Sequence, residues 1–274
     1  MNRRVAMLVG GACASAVLLA VPLIGFAQFG RSAPTYEANV PYDGRYTYAR
    51  IRYAPPDFGG GFAGFRRDVK WDHDYPRSDR HFPKIIEEIT TIKTRTAASD
   101  IFTLDDPELM KFPVAYLCEA GYWRPTDAEV QGLRNYLLKG GFLYVDDFWG
   151  SLAWEQWSYE IARVLPPHKY PIVEIPRDHA IMHTLYDVKE VPQVPSINRW
   201  YQMDGGTSER GADSPYVNFR GIQDEHGRLM VVMTHNTDIS DTWEREGENK
   251  EYFDRFSPDG YAVGVNIILY ALTH

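Results

Sequence analysis

The sequence predicts an α/β fold, a mostly parallel sheet flanked by helices on both faces, from three observations. Short apolar runs at Pro113 to Cys118, Phe142 to Val145 and Leu229 to Met233 read as buried strands. Stretches of helical period stand between such runs, the first carrying Phe82, Ile85, Ile86, Ile89 and Ile92 at three- and four-residue steps with charges in the gaps. The connections are short, and an alternation of strand and helix is the order from which parallel sheets are built.

The first 27 residues differ in chemistry from the rest. Arg3 and Arg4 precede an uncharged apolar run from Val5 to Phe26, and Gly25-Phe26-Ala27 supplies small residues for cleavage, the pattern of a secretory signal peptide. The arginine pair lacks the fuller twin-arginine context, and Gly10-Gly11-Ala12 before Cys13 is no lipobox, so general secretion is expected. The run is also long enough to span a bilayer if it stays uncleaved, which leaves an N-terminal membrane anchor or tether as the alternative. Both place the remaining chain in a periplasmic or other extracytoplasmic compartment. Cleavage would take two arginines and no acid, moving the formal net charge from −8 to −10. So acidic a chain is a poor match for nucleic acid, which needs clustered Lys and Arg. Cys118 alone survives cleavage, so the core and not a disulfide must hold the domain. The composition, 44% hydrophobic and 24% charged, is that of a folded protein and excludes disorder of the whole chain.

Residues 28–44 are polar and aperiodic and read as a linker, with one α/β domain over 45–274. Tyr46 to Tyr53 alternates like a strand, stopped by Pro55-Pro56, and Gly59-Gly60-Gly61 with Gly64 makes a loop that lacks the Gly-Lys-Ser/Thr of a phosphate cradle. A helix starts near Ser78 or Asp79. Ile101 to Leu104 is a short strand, and Asp105-Asp106-Pro107 looks like a cap with proline at the first helical position. Thr126 caps a helix over Asp127 to Leu138 that Gly140-Gly141 closes. The strand Phe142 to Val145 ends at Asp146-Asp147, and Trp154 to Leu165 is helical. Residues 171–192 hold a short strand and a turn, 198–215 a loop, 234–259 a polar loop, and Tyr261 to Leu272 a closing helix. There is no internal repeat.

Five segments resemble the bacterial family known as domain of unknown function 4159. They are Tyr48-Ala49-Arg50-Ile51-Arg52-Tyr53; Gly140-Gly141-Phe142-Leu143-Tyr144-Val145-Asp146-Asp147; Asp178-His179-Ala180-Ile181-Met182-His183 with Tyr186-Asp187; Asn236 to Glu244; and Gly264 to Leu272. The likeness spans roughly residues 45–274. That family in turn is similar to the class I glutamine amidotransferase-like group, including trehalose-utilisation-type proteins, which implies a flavodoxin-like three-layer sandwich. It brings no assigned chemistry, and Ala180 departs from the proline usual after the histidine.

Three constellations have residue types suited to chemistry, all expected at the carboxyl edge of the sheet, where open α/β folds place ligands. Cys118 ends one strand and His235 another, the places where amidotransferase relatives keep a thiol and an imidazole. A nucleophile elbow there needs small residues on both sides, whereas Tyr116 stands two before, so Cys118 reads as a buried strand cysteine. Asp146, Asp147, His179 and His235 form a carboxylate and imidazole set, with His179 and His183 spaced for one helical face as weak metal candidates. A turn aspartate bonding the backbone and a histidine donating to a carbonyl is the plainer reading of that set. No cofactor or metal motif is complete. Finally Asn236, Asp238, Asp241 and Trp243, with Trp71, suit a polar ligand such as a sugar or peptide. The expectation is a cell-envelope binding or complex-forming domain with a polar pocket, its partner an unknown polar ligand or envelope protein. The alternative is a metal-assisted or acid/base hydrolase, and a thiol hydrolase ranks third.

Overall fold

The computed structural model describes residues 36–54, 68–97 and 99–274. The expected signal segment, the first part of the expected linker, Pro55-Pro56 and the glycine cluster at 59–64 lie outside the described residues. Among the described residues no helix is long and apolar enough to cross a membrane.

Seven strands form one sheet: β1 (Ala49–Ile51), β2 (Asp100–Phe102), β3 (Val114–Cys118), β4 (Phe142–Phe148), β5 (Ile172–Glu174), β6 (Asn218–Gln223) and β7 (Leu229–His235). Their order is β2-β1-β3-β4-β7-β6-β5; the first five run parallel, and β6 and β5 add antiparallel pairings at one side. Cys118 stands beside Asp146 and Val145 beside Met233, so the three expected strand ends share one sheet and one direction.

Alternation along the strands sends side chains to two cores. Ala115, Leu117, Leu143 and Val145 pack with Leu133, Leu137, Trp157 and Ile161, from α2 (Asp127–Leu138) and α3 (Gly150–Val164). Val114, Tyr116, Phe142 and Tyr144 pack with Phe82, Ile86, Val263 and Ile267, from α1 (Arg77–Ile89) and α6 (Lys250–Thr273). The sheet is thus buried on both faces. Thr126 caps α2 in a reciprocal pair with Glu129, as the residue types at that turn require.

The structure departs from the sequence reading at several places. Residues 36–44, expected as linker, lie along the open edge of β2: the Asn39 amide donates to Ile101 O and accepts from Ile101 N, both at 2.8 Å, as a neighbouring strand would. Strand β4 runs on through Asp146 and Asp147 to Phe148, with a register shift after Val145 that absorbs Asp147 in a bulge. The unanticipated β6 is possible because Gly221 leaves room for Leu229, where a Cβ would lie 2.4 Å from Leu229 Cδ2. Helix α4 (Ile197–Gln202) forms in the expected loop, α3 starts four residues early, and α6 starts at Lys250 and runs through Pro258. A four-residue helix, α5 (Asp241–Glu244), interrupts the expected polar loop.

Candidate functional site

Strand β1 passes the chain to β2 on one side and β3 passes it to β4 on the other, so a crevice opens above the carboxyl ends of β1 and β3. Three segments meet there. The first, residues 68–74, is held down by Arg50 of β1, which is fully buried. Its guanidinium pairs with Asp79 through Nε and Nη2, donates to Trp71 O at 3.1 Å and His73 O at 2.9 Å, and lies over the rings of Tyr48 and Tyr116.

The second segment is the turn out of β3. Glu119 adopts φ 52° and ψ 45°, the left-handed region that non-glycine residues seldom enter, and a 3-10 turn Ala120–Tyr122 follows at once. Tyr53 Oη lies 3.1 Å from Cys118 O and 3.0 Å from Glu119 O and supports the bend. A Cβ on Gly121 would lie 2.5 Å from Ala153 Cβ, so the turn closes against α3 only because that residue is glycine. This is elbow geometry, one residue later than Cys118, and it presents a carboxylate.

The third is the β4 bulge, where Asp147 is also left-handed at φ 54°. Trp149 Nε1 donates to Asp147 Oδ1 at 3.1 Å. His73, Glu119 and Asp147 converge, one possible ligand atom from each lying within 4.8 Å of the others. His73 Nδ1 is 3.1 Å from Glu119 Oε1 and His73 Nε2 is 2.7 Å from Asp68 Oδ1, while Lys70 Nζ also reaches Glu119 Oε1 at 3.1 Å. Burial, reinforced by the charges of Glu119 and Asp74, pushes the Asp147 carboxyl well above the usual carboxylate range. Burial alone would pull the His73 ring down, but its bonds to Glu119 and Asp68 outweigh it and hold the pKa up at about 9. Beside Glu119 lies an open cleft of about 640 Å³, walled by Tyr122, Arg124, Trp149, Gln156 and Arg210.

The residues singled out from the sequence are dispersed. Asp146 turns into the fold, accepting from Thr234 Oγ1 at 2.5 Å and from the amides of Ser240 at 2.9 Å and Ile239 at 3.3 Å; burial raises its pKa to about 7. His235 lies against Phe148 and Trp154, with Nε2 3.0 Å from Gly150 O and Nδ1 3.1 Å from the Asn218 amide. His179 is at the other edge of the sheet, beside Tyr270, whose hydroxyl meets the amide of Leu229 at the start of β7. There it accepts from Ile181 N at 3.2 Å and begins a 3-10 helix, not an α-helix, so no shared face with His183 arises. His183 is taken by Arg177 O and Asp187. The four-residue acid and imidazole set is therefore not brought together; of it, Asp147 alone belongs to the convergent group.

Cys118 is buried with its sulfur 3.4 Å from Arg50 Nη1 and 3.5 Å from Trp71 O, and burial pushes its thiol up, the opposite of what a nucleophile needs. Residues 234–243 are buried and bonded internally. Asn236 accepts from Gly150 N and donates to Tyr216 O, Asp238 accepts from Ser240 Oγ and Asp241 N, and Asp241 accepts from Ile197 N at 2.6 Å. Trp243 stacks on Phe82 at 4.1 Å and donates to Ser78 Oγ, and Trp71 is buried against Tyr36. These side chains brace the edge from within and offer no surface to a ligand.

The model of the family described as Domain of unknown function (DUF4159) matches residues 47–272. The chain belongs to this family. No curated protein matches the chain. The family segment around Arg50 is the anchor of residues 71–73, and the segment ending in Asp146-Asp147 is the bulged strand. Sequence reasoning passed over Glu119, although Gly121 two residues after it is the small residue an elbow needs. Of residues 68–74 it singled out only Trp71, as part of a polar-ligand set, and not His73.

Proposed function

We propose that this domain is an extracytoplasmic hydrolase acting on a polar substrate in the cleft beside Glu119, with Glu119 and Asp147 as the reacting pair. The observation that carries the reading is a carboxylate presented on a tight left-handed turn beside an open cleft, with a second, protonated carboxyl in reach. A carboxyl that burial holds in its protonated form is suited to donate the proton in such a pair. Glu119 takes a proton from a water whose oxygen bonds to the electrophilic carbon of the substrate. The bond to the leaving oxygen breaks as that oxygen receives the proton of Asp147, and the proton on Glu119 then returns to Asp147 through solvent. Export rests on the basic start and apolar run of residues 1–27, and an uncleaved segment would make the protein membrane-tethered. We assign the fold to the flavodoxin-like, class I glutamine amidotransferase-like class; support comes from the order of the five parallel strands, which follows the 2-1-3-4-5 pattern with β7 as the fifth.

The test is turnover of fluorogenic glycosides, esters and phosphate esters by the purified chain and its variants. Glu119→Gln and Asp147→Asn should each lower turnover by about a hundredfold or more with the melting temperature retained. Undiminished turnover in both variants, or none by the wild type across the panel, sinks the assignment. The second reading is a cell-envelope binding or complex-forming domain, favoured by Arg124, Gln156 and Arg210 on the cleft walls. It predicts ligand capture without turnover.

A further inference from the structure

We infer that His73, Glu119 and Asp147 bind one divalent transition-metal ion; the inference deepens the hydrolase reading and rests on it only for the use made of the ion. An imidazole and two carboxylates are the donor set of Mn²⁺, Fe²⁺ and Zn²⁺ sites. Donors at metal-bond distance from one ion lie roughly 3 Å apart, and His73 Nδ1 and Glu119 Oε1 stand at 3.1 Å.

Two further observations separate this group from a chance gathering of acids. Asp68 Oδ1 sits 2.7 Å from His73 Nε2, so the Nε2 proton is committed outward and Nδ1 faces the carboxylates. A carboxylate behind the distal nitrogen is the support that metal-binding histidines carry. Asp147 is 8% exposed and receives Trp149 Nε1 on Oδ1, while its Oδ2 accepts no hydrogen bond from any described residue. Lys70 Nζ and His73 Nδ1 share Glu119 Oε1, and Oε2, which takes no hydrogen bond among the described residues, is left for the ion. Of the three residues, Glu119 also lines the cleft, so a substrate held there would lie next to one of the ligands.

The neighbouring trio Asp74, Asp241 and Glu244 does not share these features. It holds no imidazole, Ser240 Oγ bonds Asp74, Ile197 N bonds Asp241, and the buried Glu244 Oε2, which takes no hydrogen bond, already faces the Arg245 cation. In the loaded protein the ion lowers the pKa of a bound water, whose proton leaves to solvent. The resulting hydroxide would bond to the electrophilic carbon of the substrate, and the bond to the leaving oxygen would break as that oxygen takes a proton from solvent water, with Glu119 and Asp147 then serving as ligands in place of base and acid.

The experiment is calorimetric titration of the purified, chelator-treated full chain with MnCl₂ and with ZnCl₂, beside the visible spectrum of the Co²⁺-loaded chain. One ion per chain should bind with a dissociation constant at or below about micromolar. His73→Ala and Glu119→Gln should each weaken it by at least about thirtyfold, and Asp68→Asn by about tenfold with an altered Co²⁺ spectrum. Asp68 is largely exposed, so its variant keeps the fold; because it also releases Lys70, held at 2.7 Å, the Co²⁺ spectrum is the readout of the His73 support. Absence of binding, or variants that bind as the wild type does, overturns the site. Chelator-insensitive turnover in a chain that binds no ion overturns the ion and spares the hydrolase. Tight binding without turnover supports the ion and removes the hydrolase.

Discussion

His235 shows how one buried residue sets a pH limit. Its ring sits between Phe148 and Trp154, donating from Nε2 to Gly150 O and accepting at Nδ1 from Asn218. A second proton has no acceptor there, and burial, with the Arg220 charge nearby, lowers the pKa to about 4. The unfolded chain takes that proton near pH 6.5. Between those values the unfolded state binds more protons, so stability is full above pH 6.5 and falls as pH drops toward 4. The linkage amounts to about 3 kcal/mol for this residue. His235→Gln should be less stable than the wild type at pH 7 yet lose about 3 kcal/mol less on acidification, by urea melts at pH 7 and pH 4. Parallel losses in the two proteins would place the acid sensitivity elsewhere.

Among elements, the contact between the β3 elbow and the start of α3 shapes the cleft. Gly121→Ala puts a methyl 2.5 Å from Ala153 Cβ and 2.9 Å from its Cα. Overpacking of this kind costs about 1–3 kcal/mol, and the displaced Glu119 should lose turnover beyond the loss of stability. Adding Ala153→Gly should recover part of both, since it removes the closer of the two clashes. If melting and turnover in Gly121→Ala match the wild type, the elbow does not depend on this contact. The same elements show what the sequence made legible. The apolar runs of β3, β4 and β7, the helix period of α1 and the capping residues of α2 are local signals, and each element formed where they stood. The bulge at Asp147 and the left-handed turn at Glu119 depend on how strands and α3 pack, so no local pattern announced them. Polarity likewise misled at residues 234–243, because side chains that bond the backbone make a buried brace as readily as a wet loop.

Across the whole molecule, the charged pair Arg50–Asp79 joins β1 to α1 and to the segment carrying His73. Both side chains are fully buried, so removing one leaves the other charge without its partner. Asp79→Asn should therefore cost about 3–5 kcal/mol. Replacing both, as Arg50→Met with Asp79→Leu, deletes the two charges together, and the remaining penalty is that of the carbonyls of Trp71 and His73, about 1–3 kcal/mol each when left unpaired. The double variant should thus fall well short of the sum of Arg50→Met and Asp79→Leu in urea melts. It should still bind Mn²⁺ more weakly than the wild type, because the carbonyl that anchored His73 has lost its donor. Strict additivity of the two single losses would mean that the charges do not depend on each other. Wild-type Mn²⁺ affinity in the double variant would mean that the sheet does not position His73.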